Sequence, residues 1–182
     1  MNRLSNDSCY GLHCLLIYDD LETFREFYSY FAQKLLEKKD NIVLIAPFYE
    51  TISSVRQTLS SGPRAIDVKE YEENLQRLLI YDSLNEYFGE EPVMDARKKI
   101  MKRSLQNNKE AGLSVLDDMG SFYFKMQEEK LVDFEKSLPV HFDDMAYNGI
   151  CAYHQNDFNR LSEEQKEEIM KHHSETFRLE AY

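Results

Sequence analysis

The sequence predicts an α/β protein with a doubly wound, mostly parallel sheet of about six strands between two layers of helices. Short apolar runs such as residues 12–18 lack polar alternation and are typical of strands that are buried on both faces. Amphipathic helical segments alternate with these runs along the chain. Because no linker is long enough to divide 182 residues, we expect one domain over 1–182 with a core of about 12–177.

The predicted strands are short apolar runs that are bounded by turn or helix-breaking residues. The second run, for example, stops at Pro47, and the fifth follows Gly112. Because helices separate most of these runs, each crossover returns the chain to the same end of the sheet and makes the pairing parallel. The predicted strands are residues 12–18, 42–46, 64–68, 78–81, 113–116 and 149–153.

The helices are predicted from apolar residues at helical spacing and from residues that start or stop a helix. Phe24 and Phe27 lie on one stripe of the first helix, and Pro92 suits the first position of another. Ser162 and Gln165 match a capping box. The predicted helices cover about residues 21–38, 51–59, 92–107 and 122–138, followed by a charged helix that starts at Ser162 and includes His172 and His173.

The turn between the first strand and the first helix carries Asp19, Asp20 and Glu22. In a P-loop protein this turn is rich in glycine and ends in Gly-Lys-Ser/Thr, whose backbone N–H groups and lysine hold phosphates. This turn has neither glycine nor lysine, and its three carboxylates repel phosphate. Asp19 and Glu22 fit a D-x-x-E helix cap. We therefore expect a fold related to ATPases that binds neither ATP nor GTP.

The composition argues against several classes of protein. A formal net charge of -11 argues against a nucleic-acid surface, which needs clustered Lys and Arg. The one dense basic stretch, residues 97–103, is interpreted as the solvated face of a helix. No stretch approaches the ~18 apolar residues that a membrane span needs. Cys9, Cys14 and Cys151 have no paired spacing, so we expect no disulfide framework and a cytoplasmic location.

Two His–Cys pairs raise the question of a metal site. They are His13–Cys14 and Cys151–His154. In a strand, neighbouring residues and residues three apart point to opposite faces, so each pair offers at most one ligand to a given site. Real zinc motifs are more regular than this. The sequence therefore predicts no metal and no cofactor.

Candidate ligand-binding residues gather where the predicted parallel strands end, which is where open α/β sheets bind ligands. Tyr18, Tyr81 and Tyr153 each end an apolar run. Asp117 ends the fifth predicted strand, and it suits a helix cap as well as a pocket. Glu135 lies on the next helix, where both a pocket-facing and a solvent-facing orientation stay open. The predicted ligand-binding residues are Tyr18, Tyr81, Asp117, Tyr153 and Glu135.

Several short segments, spread in order over almost the whole chain, carry a family resemblance. They are His13-Cys14-Leu15-Leu16-Ile17-Tyr18, Leu78-Leu79-Ile80-Tyr81, Glu86-Tyr87-Phe88, Ala111-Gly112-Leu113, Asp118-Met119, Asp133-Phe134-Glu135, Ile150-Cys151-Ala152-Tyr153 and His172-His173. In this order and spacing they resemble the MEDS domain, a sensory module of methanogen and methylotroph proteins that include a dichloromethane-responsive regulator.

The resemblance implies a RecA-like core without a Walker motif, used as an input domain in bacterial and archaeal signalling. Ser114 and Phe122 depart from the family pattern, which favours arginine and tryptophan there, so a different ligand is expected if these positions shape a pocket. His13 lies at the amino end of its strand, so its recurrence in the family pattern is better explained by a buried hydrogen bond than by ligand contact.

The residues and the resemblance together predict a non-catalytic cytoplasmic sensory domain that binds a small molecule or a signalling partner. Candidate partners are a histidine kinase or another regulator, and a second copy of the chain; nucleic acid and membrane are not expected. Two alternatives stay open. One is a metal-dependent enzyme of a degenerate P-loop-like fold that uses Asp117. The other is a protein–protein adaptor whose charged final helix docks a kinase.

Overall fold

The computed structural model describes residues 10–107 and 112–180. Within them, six strands form one sheet in the order β3-β2-β4-β5-β1-β6, and every neighbouring pair is parallel. The strands are β1 (His13–Tyr18), β2 (Asn41–Ala46), β3 (Leu78–Ile80), β4 (Gly112–Asp118), β5 (Tyr147–His154) and β6 (Glu175–Leu179). The predicted α/β fold with a doubly wound parallel sheet is confirmed.

Helices cover both faces of the sheet and complete three layers. They are α1 (Leu21–Leu36), α2 (Ile52–Ser61), α3 (Ser83–Phe88), α4 (Val93–Asn107), α5 (Gly120–Phe124), α6 (Glu128–Ser137), α7 (Gln155–Phe158) and α8 (Glu163–Lys171), with a π-helical turn at Glu70–Asn74. Helices α1 and α2 pack on one face, which we call the α1 face, in a single apolar cluster. Side chains from α3 to α8 pack on the other face, which we call the α6 face, in two apolar clusters.

The strand predicted at residues 64–68 does not form. The Ile66 N–H donates to the carbonyl of Leu59, and the Val68 N–H donates to the carbonyl of Ile66. These backbone groups are therefore satisfied by the end of α2 and by a local turn, and not by a neighbouring strand. The sixth strand is instead β6, a segment for which the sequence analysis predicted no strand. Its half-exposed side chains give it none of the apolar character of the inner strands.

The long helix predicted over residues 122–138 is two helices, α5 and α6. The helical conformation is interrupted at residues 125–127, where Met126 has a φ of 54°. A non-glycine residue in this left-handed region cannot continue a right-handed helix. The predicted final helix also stops early, because His172 is its C-cap and His173 follows it. The capping box of Ser162 and Gln165 is confirmed.

The N-terminus of α1 is capped by Asp20, so the predicted cap at Asp19 is wrong by one residue. The Asp20 carboxylate accepts a hydrogen bond of 2.8 Å from the Thr23 N–H and one of 3.2 Å from the Thr23 hydroxyl. Asp19 is exposed. The free N–H groups that could hold an anion at this helix end are thus partly taken by the protein's own carboxylate.

Among residues 10–107 and 112–180, no helix combines the length and the apolar character that crossing a membrane requires.

Candidate functional site

The carboxyl end of the sheet holds a buried tyrosine–aspartate pair. The Tyr18 hydroxyl donates a 2.9 Å hydrogen bond to Asp118 Oδ2, and both side chains are at most 1% exposed. The Gly120 N–H donates to Asp118 Oδ1 at 3.0 Å, and the Ser83 hydroxyl donates to the Asp118 carbonyl at 2.9 Å. The Tyr18 ring stacks on Phe24 with a centroid separation of 4.2 Å. The pair is therefore rigidly held.

Burial raises the pKa of Asp118 to about 6, although the Gly120 N–H and the Tyr18 hydroxyl oppose the shift. Desolvation penalises a charged carboxylate more than these donors stabilise it. Asp118 is thus a carboxyl group that changes charge near neutral pH, at the edge of the sheet where α/β proteins bind ligands.

Aromatic residues surround this pair at the surface. The His154 ring lies 5.3 Å from the Tyr18 ring and 5.5 Å from the Tyr49 ring. The Tyr49 hydroxyl donates a hydrogen bond to Asp157. The Phe48 ring lies 5.0 Å from the Tyr49 ring and 5.9 Å from the ring of Phe124, which is 65% exposed. Phe124 therefore offers an exposed apolar ring beside this aromatic group.

Asp117 faces the opposite side of the sheet and forms an ion pair with Arg97. Arg97 Nη2 lies 2.7 Å from Asp117 Oδ2 and 3.8 Å from a Glu86 oxygen, and Nη1 donates a 2.9 Å hydrogen bond to the Tyr147 hydroxyl. Burial alone would lower the pKa of Arg97, but Asp117, with Tyr147, Tyr87 and Glu86, raises it well above its usual range. Asp117 acts here as the counterion of a buried arginine.

The interpretation of residues 97–103 as a solvated face is wrong for Arg97, which is only 2% exposed. The sequence held a signal for this. Arg97 lies four residues after Val93 and three before Ile100, which places it on the apolar stripe of α4. Lys98 and Lys99 are exposed, as predicted.

Four buried titratable residues meet on the α6 face, on the opposite side of the sheet from Tyr18. Glu135 Oε2 lies 3.6 Å from His13 Nε2, 3.5 Å from His173 Nε2 and 3.6 Å from Cys151 Sγ. Cys151 Sγ lies 3.5 Å from His13 Nε2. We call this group the His–Glu–Cys–His cluster; its members are His13, Glu135, Cys151 and His173, and one ligand atom from each lies within 4.8 Å of all the others.

Neighbouring groups orient the side chains of this cluster. The Tyr153 hydroxyl donates a 2.5 Å hydrogen bond to Glu135 Oε1. His13 Nδ1 lies 3.1 Å from the carbonyl of Pro139, and His173 Nδ1 lies 2.7 Å from that of Ile169. Burial alone would raise the pKa of Glu135, but His173, His13 and Tyr153 lower it. The net effect is a pKa of Glu135 below its usual value in spite of its burial.

The five predicted ligand-binding residues do not share one crevice. Tyr18 is buried on the α1 face and bonds Asp118. On the α6 face, the Tyr153 hydroxyl donates a hydrogen bond to Glu135, and Asp117 lies beside Arg97. Tyr81 is 37% exposed and follows β3, the strand at the far edge of the sheet. Glu135, whose orientation was left open, points inward and is fully buried.

Sequence reasoning missed four residues that the structure brings into these sites. Asp118 was named only within a segment of the family resemblance, Arg97 was assigned to solvent, and Cys151 and His173 were given no role. Their signals were indirect. The rule that each His–Cys pair gives at most one ligand holds for the cluster, which takes His13 from one pair and Cys151 from the other.

An open surface groove of about 470 Å³ lies on the α1 face, lined by α1, Thr58 of α2 and residues 63–64. None of the five predicted residues lines it. Its acidic and basic side chains, among them Glu22 and Arg25, are ordinary surface groups.

The parallel sheet between two layers of helices defines a three-layer, doubly wound α/β protein, in which Asp20 caps the first helix and the turn before that helix contains no glycine. The family model described as MEDS, "MEthanogen/methylotroph, DcmR Sensory domain", matches residues 12–174. The chain therefore belongs to the MEDS family, and the identification from its motifs is confirmed. The comparison with curated proteins gives no match.

Proposed function

We propose that this sensory domain is non-catalytic and cytoplasmic, and that it binds a small molecule at the carboxyl end of the sheet. The observation that carries the proposal is the capped first turn. Asp20 occupies the N-terminus of α1, where a related ATPase would bind phosphate, so this edge is available for another ligand. Cys151 is buried and forms no disulfide, which agrees with a reducing compartment.

The chemistry around Tyr18 and Asp118 suits a small ligand with one polar group. The buried pair offers a carboxyl group with a raised pKa, and the nearby rings of Tyr49 and His154 offer apolar and edge contacts. The family description names methanogens and methylotrophs, organisms that use one-carbon compounds. One-carbon compounds such as methanol, methylamine and dichloromethane are therefore the first ligands to test.

The test is a two-dimensional amide NMR titration of the full chain with each of these three compounds. We expect shifts at the β1–α1 turn, at residues 48–49 and at residues 118–120. A Tyr18→Phe variant keeps the ring and loses the hydroxyl, so it should bind the same compound more weakly. Shifts confined to the groove lined by Glu22 and Thr58, or no shifts with any compound, would contradict the proposal.

A calorimetric titration with Mg²⁺–ATP tests the non-catalytic half of the proposal. Asp19, Asp20 and Glu22 bring three carboxylates to the position of a P-loop, and like charges near a surface repel by on the order of 1 kcal/mol or more per close pair. No heat of binding is expected at millimolar ATP. Micromolar affinity, or hydrolysis above the background rate, would overturn it.

Docking of a signalling partner is the second candidate function, because Phe124 is 65% exposed and its ring lies 5.9 Å from that of Phe48, next to Tyr49. A histidine kinase or another regulator is the candidate class of partner. A Phe124→Ser variant should then lose the partner in a pull-down from source cells, while ligand shifts at Tyr18 remain.

A further inference from the structure

We propose that the His–Glu–Cys–His cluster is a metal site that binds one divalent transition-metal ion, with Zn²⁺ as the ion that fits its ligands best. The ligand atoms are Nε2 of His13, Oε2 of Glu135, Sγ of Cys151 and Nε2 of His173. Two imidazole nitrogens, one thiolate and one carboxylate are a donor set that zinc accepts in proteins. This site is independent of the ligand proposed at the carboxyl end of the sheet.

The distances within the cluster fit a tetrahedron around one ion. Zn–ligand bonds of about 2.0–2.3 Å place neighbouring ligand atoms of a tetrahedral site roughly 3.3–3.6 Å apart. Four of the atom pairs in the cluster are 3.5–3.6 Å apart. All four atoms lie within 4.8 Å of one another. Small side-chain movements therefore suffice to complete the coordination.

Both histidines present a lone pair to the centre of the cluster. Nδ1 of each ring faces a backbone carbonyl, Pro139 for His13 and Ile169 for His173, and a hydrogen bond to a carbonyl requires the proton to be on Nδ1. This leaves Nε2 unprotonated and directed at the cluster. Metal-binding histidines are oriented in this way by a hydrogen bond from the other ring nitrogen.

One buried nitrogen of the cluster is left without a hydrogen bond. His173 Nε2 lies 3.5 Å from Glu135 Oε2 but forms no hydrogen bond with it. An unsatisfied buried polar atom costs free energy, so it calls for a missing partner. A cation in the cluster supplies that partner and makes use of the same lone pair.

The charges balance when a divalent ion binds. Glu135 contributes one negative charge, and the Cys151 thiol loses its proton to solvent as the metal–sulfur bond forms, which contributes a second. With two neutral imidazoles the site is then neutral, as a fully buried site requires. Tyr153 donates to Glu135 Oε1 and leaves Oε2 for the metal.

The position of the cluster indicates a closed structural site. All four residues are buried, and they come from β1, α6, β5 and the segment that joins α8 to β6. A catalytic zinc keeps one position open for water or substrate, whereas a structural zinc has four protein ligands. The ion would therefore tie the edge strand β6 to the centre of the sheet.

The experiment loads the full chain with Zn²⁺ or Co²⁺ after treatment with a chelator. We expect one ion per chain by elemental analysis, a higher melting temperature with Zn²⁺, and with Co²⁺ the intense visible bands of four-coordinate cobalt together with a thiolate charge-transfer band. A Cys151→Ala variant should lose the thiolate band. Cys14→Ala should keep it, since Cys14 packs in the apolar cluster of the α1 face, on the other side of the sheet.

Two matched pairs of variants separate metal binding from folding. His173→Gln should lose tight Zn²⁺ binding, whereas His172→Gln, one residue away, should retain it. Tyr153→Phe removes only the hydroxyl that orients Glu135, so we expect Zn²⁺ affinity to fall by about 10–100-fold. Tyr123→Phe on the same face is its control, since the hydroxyl of Tyr123 has no hydrogen bond.

The proposal fails if the wild-type chain gives no thiolate band with Co²⁺ and no stoichiometric Zn²⁺. It also fails if Cys151→Ala or His173→Gln binds metal as the wild type does. Should a cluster variant not fold, the wild-type cobalt spectrum still decides, because it reports the thiolate and the four-coordinate geometry directly. A cluster held only by hydrogen bonds would show neither.

Discussion

The two faces of the sheet bury different kinds of side chain. The α1 face is covered by a single apolar cluster, in which Leu16, Val43 and Ile45 of the strands meet the aromatic stripe of α1. The α6 face also contains apolar clusters, but it buries an arginine, two carboxylates and two histidines as well. These polar residues are Arg97, Asp117, Glu135, His13 and His173.

This difference indicates a division of labour between the faces. Apolar burial stabilises a fold by roughly 25 cal/mol for each Å² removed from water, and it needs no exact partner. Buried charges cost free energy unless each is paired, so they are poor sources of stability. The α1 face therefore supplies stability, whereas the α6 face holds a polar arrangement whose geometry is specific.

The largest expected effect comes from breaking a charge pair on the α6 face. Arg97→Met leaves Asp117 as a buried carboxylate without its counterion, which should lower the free energy of unfolding by about 3–5 kcal/mol. Urea unfolding measures it. The control Lys98→Met changes an exposed neighbour and should cost no more than about 0.5 kcal/mol.

A double variant sharpens this result. In Arg97→Met/Asp117→Asn the lone charge is gone, so much of the lost stability should return. If Arg97→Met is as stable as Lys98→Met, the Arg97–Asp117 ion pair is not needed for stability, and the proposed difference between the α1 face and the α6 face is wrong.

Asp118 is the next test, because it places a carboxyl group on the apolar α1 face. Its pKa is about 6 in the folded chain, against 3.8 when unfolded. Between these two pH values the folded state binds more protons at Asp118 than the unfolded state does. The free energy of unfolding therefore falls as the pH rises from about 4 to 6, and it falls no further above that range.

Asp118→Asn removes this titration. From pH 4 to pH 7, the stability of the variant relative to the wild type should rise by on the order of 3 kcal/mol. Chemical unfolding at several pH values measures the difference. A difference that stays constant with pH would show that Asp118 keeps its ordinary pKa despite its burial.

The smallest expected effect is at the N-terminus of α1. Asp20→Ala removes the cap and should cost about 1 kcal/mol, measured by urea unfolding. Asp19→Ala changes an exposed residue beside it and should be close to neutral. Equal losses in the two variants would mean that the cap is shared between both carboxylates.

The inner part of the fold could be predicted from the sequence because its strands are nearly uniform in hydrophobicity. Runs such as residues 42–46 carry a clear signal for burial on both faces. The edge strand β6 carries no such signal, since its side chains are half-exposed and alternate with polar residues. Residues 64–68 have the apolar character of a strand, but the sequence does not show that the Ile66 N–H is already bonded to the carbonyl of Leu59 at the end of α2.

The candidate sites were harder to predict because their residues are far apart in sequence. His13 lies near the start of the domain and His173 near its end, yet their rings are 4.0 Å apart. Only the position of β1 between β5 and β6 brings them together. The sequence analysis also predicted that Tyr18 and Asp117 line one crevice. Successive side chains of a strand point to opposite faces of the sheet, and the analysis did not ask which face each of these two residues points to.

The position of β1 also governs how the chain can fold during synthesis. Strand β1 is made first, but its two neighbours in the sheet, β5 and β6, are made last. On a ribosome that adds about 5–20 residues per second, β1 waits on the order of ten seconds before a partner strand emerges. Its apolar residues are exposed or held by α1 during that time. The sheet can therefore close only when translation of the domain is almost complete, which makes premature stops before β5 prone to aggregation.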